Sequence, residues 1–297
     1  MKPIAILGPT ASGKSGIAMR LAEAIGGEII SCDSMQVYRG LDIGSAKPSA
    51  AEQARVPHHL IDIADIAEPF DVHRYVAAAE PLLAKIAKPM ICGGTGLYAR
   101  ALFYGRNTRP QDSQISEAVA AEFAEWGAES LLAELRAVSP EAAEKVAPNP
   151  RHLCRAVVAI RMGADPLPDT NCELRIPVRQ FVLMPTPECA DARIRARTRA
   201  MLDAGWIEEV EALVARGLLD SPTARQALGY ARIAEFLTDR SDPDALYERL
   251  VIQTRQYAKR QRTWFRHQHP GVELLPIANA DDLARASDHI IRAASDL

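Results

Sequence analysis

Two rhythms of apolar and polar positions divide the chain. Short, mostly apolar runs at Ile4-Ala5-Ile6-Leu7, Glu28-Ile29-Ile30-Ser31-Cys32, Pro89-Met90-Ile91-Cys92 and Gln180-Phe181-Val182-Leu183-Met184 predict buried strands. His58-His59-Leu60-Ile61-Asp62-Ile63 predicts another short one. Between these runs the apolar spacing is helical. Ile17, Leu21 and Ile25 mark a helix that ends at Gly26-Gly27, and Val72, Tyr75, Val76, Ala79, Leu83 and Ile86 mark a second within 71–88. Asp71 is placed as its N-cap, and Pro81 predicts a kink or break. Strands alternating with helices predict a parallel sheet.

From about residue 112 the strand rhythm stops. Ser116 to Arg136 reads as helix with a break at Trp126-Gly127, Ser139-Pro140-Glu141-Ala142 as a cap with proline at the first helical position, and Ala147-Pro148-Asn149-Pro150 as a stop. Leu153, Ala156, Val157 and Ile160 then form an apolar stripe, with Arg151 and Arg155 on another face. Pro166, Pro168 and Pro177 close this all-helical stretch. It predicts a helical insertion at 114–176 within a core made of 1–113 and 177–297. In the second half of the core, a helical stretch running to Arg216 carries Arg193, Arg195, Arg197 and Arg199. Arg193 and Arg197 share a face, and two guanidinium groups so placed suit a diphosphate. A last helix at 249–266 puts Leu250, Tyr257 and Trp264, with Val251, Ala258 and Phe265, on one face and Arg255, Lys259, Arg262 and Arg266 opposite. No acid falls between Glu248 and Glu273, and such a one-sign stripe fits a nucleic-acid backbone.

The first strand runs into Gly8-Pro9-Thr10-Ala11-Ser12-Gly13-Lys14-Ser15, the pattern G-x-x-x-x-G-K-S between a strand and a helix. This is a phosphate cradle: backbone N–H groups and the helix dipole converge on an anion, Lys14 adds charge, and Ser15 offers a hydroxyl to phosphate-bound Mg²⁺. The expected fold class is therefore α/β, a P-loop NTPase-like parallel sheet flanked by helices, with an inserted all-helical subdomain. Asp33 follows the second strand, where a carboxylate can accept a proton, hold a metal through water, or cap a helix. The strand ending at Cys92 is followed by Gly93-Gly94-Thr95-Gly96, although many P-loop nucleotidases place an acid there; Asp62 remains a possible substitute. Neither D-x-x-G nor N-K-x-D occurs, which argues against a GTPase switch.

Composition changes this picture little. The 297 residues carry a net charge of −3, so nucleic-acid binding must come from local patches. The five cysteines, Cys32, Cys92, Cys154, Cys172 and Cys189, form no C-x-x-C and read as free thiols in a reducing cytosol. The adjacent His58 and His59 point to opposite faces of an extended chain and read as structural. No apolar run approaches the roughly 20 residues of a membrane span, and the N-terminus runs straight into a strand with no signal peptide.

The P-loop, Asp33-Ser34-Met35-Gln36-Val37-Tyr38, Ala46-Lys47-Pro48, His58-His59-Leu60-Ile61-Asp62, Gly93-Gly94-Thr95-Gly96-Leu97-Tyr98, Leu228-Gly229-Tyr230 and Gln253-Thr254-Arg255-Gln256-Tyr257-Ala258-Lys259-Arg260-Gln261, in this order, resemble bacterial tRNA dimethylallyltransferases, also called tRNA isopentenyltransferases. The resemblance implies transfer of a dimethylallyl group from dimethylallyl diphosphate to N6 of adenosine 37 in tRNA, by a cytoplasmic, Mg²⁺-dependent monomer that engages the anticodon stem-loop. It implies that Asp33 is the general base, with Lys14, Thr95 and Arg197 the other catalytic residues. Gly8, Thr10, Ala11, Ser12, Gly13, Lys14 and Ser15, with Arg193, would bind the diphosphate, and Ser15 the metal. Asp33, Ser34, Met35, Gln36, Thr95, Arg151, His152, Leu153, Cys154, Arg155, Gln226, Gly229, Tyr230, Arg255 and Lys259 would contact tRNA. Serine stands at 15 and 45 where the family more often has threonine, which keeps the hydroxyl. Two other readings compete: a small-molecule P-loop kinase, with Asp33 serving the phosphoryl acceptor, and a non-catalytic RNA-binding protein with a vestigial loop.

Overall fold

The computed structural model describes residues 2–105, 112–147, 149–167, 173–239 and 242–295; Pro148, Pro168 and Cys172 lie outside them. Among these residues the chain divides into two compact units, 1–103 with 175–297, and 104–174.

The first unit is built on a six-stranded parallel sheet of order β3-β2-β4-β1-β5-β6, formed by β1 (Ile4–Leu7), β2 (Glu28–Ser31), β3 (His58–His59), β4 (Pro89–Gly93), β5 (Arg179–Pro185) and β6 (Glu273–Ile277). Central β1 and β5 are buried almost throughout, so their apolar character is continuous rather than alternating. Strand β3 is shorter than its apolar run predicts. Leu60 and Asp62 turn to φ of 62° and 56°, which ends the extended chain after His59.

Helices α1 (Lys14–Ile25), α2 (Ala50–Arg55), α3 (Val72–Lys85) and α4 (Gly96–Tyr104) follow the first strands. Asp71 caps α3 by accepting from the backbone N–H groups of His73 and Arg74. The helix continues through Pro81 without a break. Burial of Tyr75, Val76 and Ala79 on its inner face outweighs the cost, about 3 kcal/mol, of a proline inside a helix. Ile17, Leu21, Ile290 and Ala294 pack with Ile4, Ile6, Phe181 and Leu183 in the main core.

The second unit consists of helices α5 (Ser113–Trp126), α6 (Ala128–Val138), α7 (Pro140–Val146) and α8 (Pro150–Arg161). Gly127, at φ 75°, separates the first two. Ser139 caps α7 and Asn149 caps α8, each ahead of a proline in the first turn. Val119, Leu131, Leu135, Ala142, Val146, Leu153, Ala156 and Val157 make a core of this unit's own. At one end Arg161 forks onto Glu122 and Glu134, with distances of 2.7 to 2.9 Å.

Returning to the first unit, the expected continuous helix to Arg216 is two: α9 (Pro187–Asp203) and α10 (Trp206–Ala215). Gly205, at φ 97°, divides them. Then come α11 (Tyr230–Asp239), α12 (Pro243–Gln268) and α13 (Ala280–Ser295). Helix α12 begins six residues before the expected 249, because Asp242 accepts from the N–H groups of Asp244 and Ala245 and Pro243 occupies the first turn. It buries Leu250, Val251, Thr254, Ala258, Gln261 and Phe265. Among the described residues no helix is long and apolar enough to cross a membrane.

Candidate active site

The site lies at the carboxyl ends of β1, β2 and β4, where an open parallel sheet gathers ligand-handling loops. After β1 the chain turns through Gly8 (φ 151°), Ala11 (φ 61°) and Gly13 (φ 89°) before α1 begins. Gly13 has no side chain to cap α1, so the first N–H groups of the helix stay available to an anion. Ala11 holds a left-handed conformation that an alanine rarely adopts, as strained loops at functional sites do. The Ser12 hydroxyl is buried and has no hydrogen-bond partner among the described residues. An unsatisfied buried hydroxyl inside a loop of convergent donors is what an anion would complete.

A cavity of about 380 Å³ opens on this loop, within the size range of small-molecule sites. Thr10, Lys14 and Ser15 line it together with Asp33, Ser34, Met35, Gln36, Gly93, Gly94, Arg197, Gln226 and Tyr230. Burial lowers the pKa of Lys14 from its ordinary value, and the negative charge of Asp33 opposes that shift. Burial likewise lowers Arg197, again against Asp33. Two cations and a carboxylate thus share a poorly hydrated space, where charges act strongly on one another. Arg197 reaches the P-loop directly, its Nη2 donating to Thr10 Oγ1. Arg193 also reaches it, but its Nη1 donates to the Ser12 carbonyl at 3.1 Å and it does not line the cavity.

Asp33 caps no helix. Its Oδ1 accepts from Met35 N at 2.9 Å and Gln36 N at 3.4 Å, forming a local turn. Thr95 Oγ1 accepts from Ser34 N at 3.0 Å and so ties the loop after β4 to the loop after β2. Thr95 itself is not part of the cavity lining. Gly93 sits so close to β2 that any Cβ there would overlap the Cys32 carbonyl, and a Cβ on Gly94 would meet Gln261 Nε2 at 2.7 Å. Asp62 does not take the place of the missing strand-end acid: it pairs with Lys47 at 2.5 Å and does not line this cavity. Cys32 and Cys92, beneath the loops, are pushed up by burial to about 12 and about 11, so both remain neutral thiols at neutral pH.

Several site residues are invisible to local pattern. Gln261, in the middle of α12, is buried; its Oε1 accepts from Thr10 N at 2.8 Å and its Nε2 donates to Gly94 O at 2.8 Å. One amide, 251 residues from Thr10 in sequence, thus joins the P-loop to the loop after β4. Gln253, Tyr257 and Arg260 line the same cavity from the same helix. The only sequence signal for them is the motif 253–261 as a whole.

The residues expected to meet RNA divide by exposure. Ser34, Met35, Gln36, Gln226 and Tyr230 line the cavity. Gly229 packs on Trp206, which leaves no room for a side chain. Lys259 is exposed, whereas Arg255, also exposed, pairs with Asp191 at 2.5 Å. In the helical unit Arg151, His152 and Arg155 are exposed and Cys154 is partly so. Leu153 is a correction: it is wholly buried in the core of that unit, as the stripe it belongs to demands, and offers nothing to a ligand. His58 Nδ1 lies 2.8 Å from the Val56 carbonyl and His59 Nε2 2.7 Å from Glu28. Among the described residues no three His, Cys, Asp or Glu side chains cluster to hold a metal by themselves.

The family model described as IPP transferase matches residues 36–268, and one described as isopentenyl transferase matches residues 1–68. A tRNA dimethylallyltransferase of Halorhodospira halophila is 42% identical over 96% of this chain and 95% of its own. Among solved structures, the full-length tRNA isopentenylpyrophosphate transferase of Bacillus halodurans aligns with a TM-score of 0.70 at 32% identity, covering 99% of this chain and 98% of that one. A eukaryotic dimethylallyltransferase, described as acting on tRNA, aligns at 0.80 and 25% identity, covering 99% of this chain and 80% of its own. None of these relatives is a small-molecule kinase. The strand-helix cradle, the glycine-blocked strand end and these matched sequences have one source: the chain belongs to the IPP transferase family.

Proposed function

We propose that this protein transfers the dimethylallyl group of dimethylallyl diphosphate to N6 of adenosine 37, beside the anticodon of tRNA, giving N6-dimethylallyladenosine and diphosphate. The observation that carries the reading is the composition of one cavity: a phosphate cradle, two cations and a carboxylate, with glycine at the strand end where phosphoryl-transfer enzymes keep an acid. The P-loop, Lys14 and Arg197 receive the diphosphate and stabilise the charge that grows on it as the bond from C1 to oxygen breaks. The amine N6 forms the new bond to C1, and Asp33 accepts the proton it loses. An exocyclic amine is a weak nucleophile, so a base held in place contributes to rate.

The residues present fit Mg²⁺. Ser15 supplies a hydroxyl beside the cradle and Asp33 a carboxylate in the same cavity, and Mg²⁺ takes few protein oxygens while keeping water and substrate phosphate. When bound, the ion would neutralise charge on the leaving diphosphate. The exposed Arg151 and Arg155, with Lys259 and the cavity-lining segment 33–36, would bind the anticodon stem-loop through its phosphates and its splayed loop bases. The reading is of a cytoplasmic monomer.

The test uses radiolabelled dimethylallyl diphosphate, unmodified tRNA whose anticodon ends in adenosine, and Mg²⁺. Label should move to adenosine 37 alone, and omission of Mg²⁺ should abolish transfer. Folded protein that moves no label, or that turns over ATP instead, would refute the proposal.

A further inference from the structure

Loop 40–48 lines the cavity through Gly44, Ser45, Ala46 and Pro48, yet it contains only turns and no helix or strand to hold it. Lys47 ties its end to Asp42, Asp62 and the Tyr38 carbonyl, and one carboxylate from another element anchors its middle. Glu209, on α10, accepts from three successive backbone N–H groups: Asp42 at 3.0 Å, Ile43 at 2.6 Å and Gly44 at 3.2 Å. Successive N–H groups turned to one side form a concave anion seat, and here the protein fills it with its own charge. The fourth donor is the Tyr230 hydroxyl at 2.6 Å. Burial, and then the neighbouring charge of Glu209, raise the pKa of Tyr230, so it stays protonated and donating.

The fit is tight. A Cβ on Gly44 would overlap both Trp206 and Tyr230, so this loop can sit in that corner only with glycine at 44. From the other side Gln36 Nε2 donates to the carbonyls of Ser45 at 3.3 Å and Ala46 at 3.1 Å. Ala46 and Pro48 form part of the cavity's apolar surface, which Ala18, Ile29, Met35, Ala227 and Leu228 share.

We infer that Glu209 is a positioning residue: by seating loop 40–48 it fixes the wall that bounds the prenyl end of the donor, and so sets the prenyl chain length the site accepts. The inference rests on the prenyl-transfer reading above. Its physical basis is that an anion accepting three N–H groups holds a backbone more firmly than neutral contacts do. A hydrocarbon pocket rejects added carbon atoms only as far as its wall resists displacement.

The experiment compares dimethylallyl and geranyl diphosphates, each radiolabelled, with unmodified tRNA and the full-length protein. Glu209→Gln keeps the size of the side chain but turns one acceptor into an NH₂ group facing N–H donors. It should raise KM for dimethylallyl diphosphate about tenfold, the scale of one charge-assisted hydrogen bond, and leave kcat within about threefold. The ratio of kcat/KM for geranyl over dimethylallyl diphosphate should rise about tenfold, which a general loss of fold would not produce. Tyr230→Phe, which removes one of four donors, should shift the same ratio in the same direction by less. Unchanged donor selectivity in Glu209→Gln overturns the inference. If that variant does not fold, unchanged selectivity in Tyr230→Phe overturns it equally. Wild-type protein that transfers neither label refutes prenyl transfer itself, and the inference with it, whereas wild-type transfer without a variant effect refutes only the role of Glu209.

Discussion

The two compact units bury different things. Every buried polar side chain among the described residues, from Thr10 and Ser12 to Gln261 and His269, belongs to the sheet unit. The helical unit 104–174 has an apolar interior and keeps its ion pairs outside, as Arg161 with Glu122 and Glu134 illustrates. Buried polar groups are generally paired, and the sheet unit departs from this at a few atoms, the Ser12 hydroxyl of the P-loop among them. The sheet unit pairs the others by cross-linking loops that are far apart in sequence, and the helical unit excludes such groups. A unit with buried polar networks can hold charges and donors in fixed positions, which chemistry requires. A unit with a dry core offers a stable surface on which exposed cations can be displayed. The difference predicts that substitutions in the first unit change rate and pH response, while those in the second change stability or RNA affinity.

The largest effect should come from Lys14→Ala. Loss of a cation that stabilises a leaving diphosphate should lower kcat by about a thousandfold, or about 4 kcal/mol of transition-state stabilisation. Single-turnover kinetics should show this while filter binding shows tRNA affinity within about twofold of wild type. A parallel loss of both would dissolve the contrast between the units. Next comes Leu153→Ala, which should destabilise the protein by about 2–5 kcal/mol in urea unfolding, the range for truncating a buried leucine. At temperatures where the variant is folded, its RNA affinity should be unchanged; a direct contact role would show as weaker binding with unchanged stability.

A third prediction concerns acid. His269 is buried with Nε2 3.0 Å from the Gly96 carbonyl, and burial lowers its pKa to about 4 from an ordinary value near 6.5. The unfolded chain therefore binds a proton between those values that the folded one refuses. Stability is complete above pH 6.5 and declines as pH falls toward 4, by up to about 3 kcal/mol. His269→Asn should flatten that part of the stability profile, measured by urea unfolding at successive pH values. The smallest effect should follow Arg161→Ala, at about 1 kcal/mol and less in high salt, because this ion pair network is partly solvated. A loss of several kcal/mol that salt does not reduce would mean the helical unit also depends on a buried polar network.

What could be read from sequence follows the range of the interactions concerned. The P-loop, the Asp71 cap and the Ser139 cap with its proline rest on contacts within a few residues, and each is legible, whereas Asn149-Pro150, read as a stop, also starts the next helix. Five of the six strands could be foreseen from apolar runs, β3 only as a longer one because two left-handed residues leave no compositional mark, and β6 (Glu273–Ile277) was not foreseen. At Pro81 the helix does not break, because propensity is local, while the burial that opposes a break is tertiary. Glu209 was out of reach for the same reason, and Gln261 could be noticed only as the end of a motif without its role: each completes a loop more than 160 residues away. Leu153 shows the converse, since its place in an apolar stripe predicted burial and its place in a motif predicted contact. The stripe decided, because burial follows from helical geometry.

The close approach of Gly93 to the Cys32 carbonyl bears on what this site can become. An acid at the end of β4 would move a P-loop site toward phosphoryl transfer, and in most sheets one codon change would introduce it. Here an aspartate at 93 would have to displace the backbone of β2, and one at 94 would have to dislodge Gln261, which ties the P-loop in place. An acid is therefore costly at either of the two positions that end this strand, and the site keeps its glycines where a phosphoryl-transfer site would hold a carboxylate.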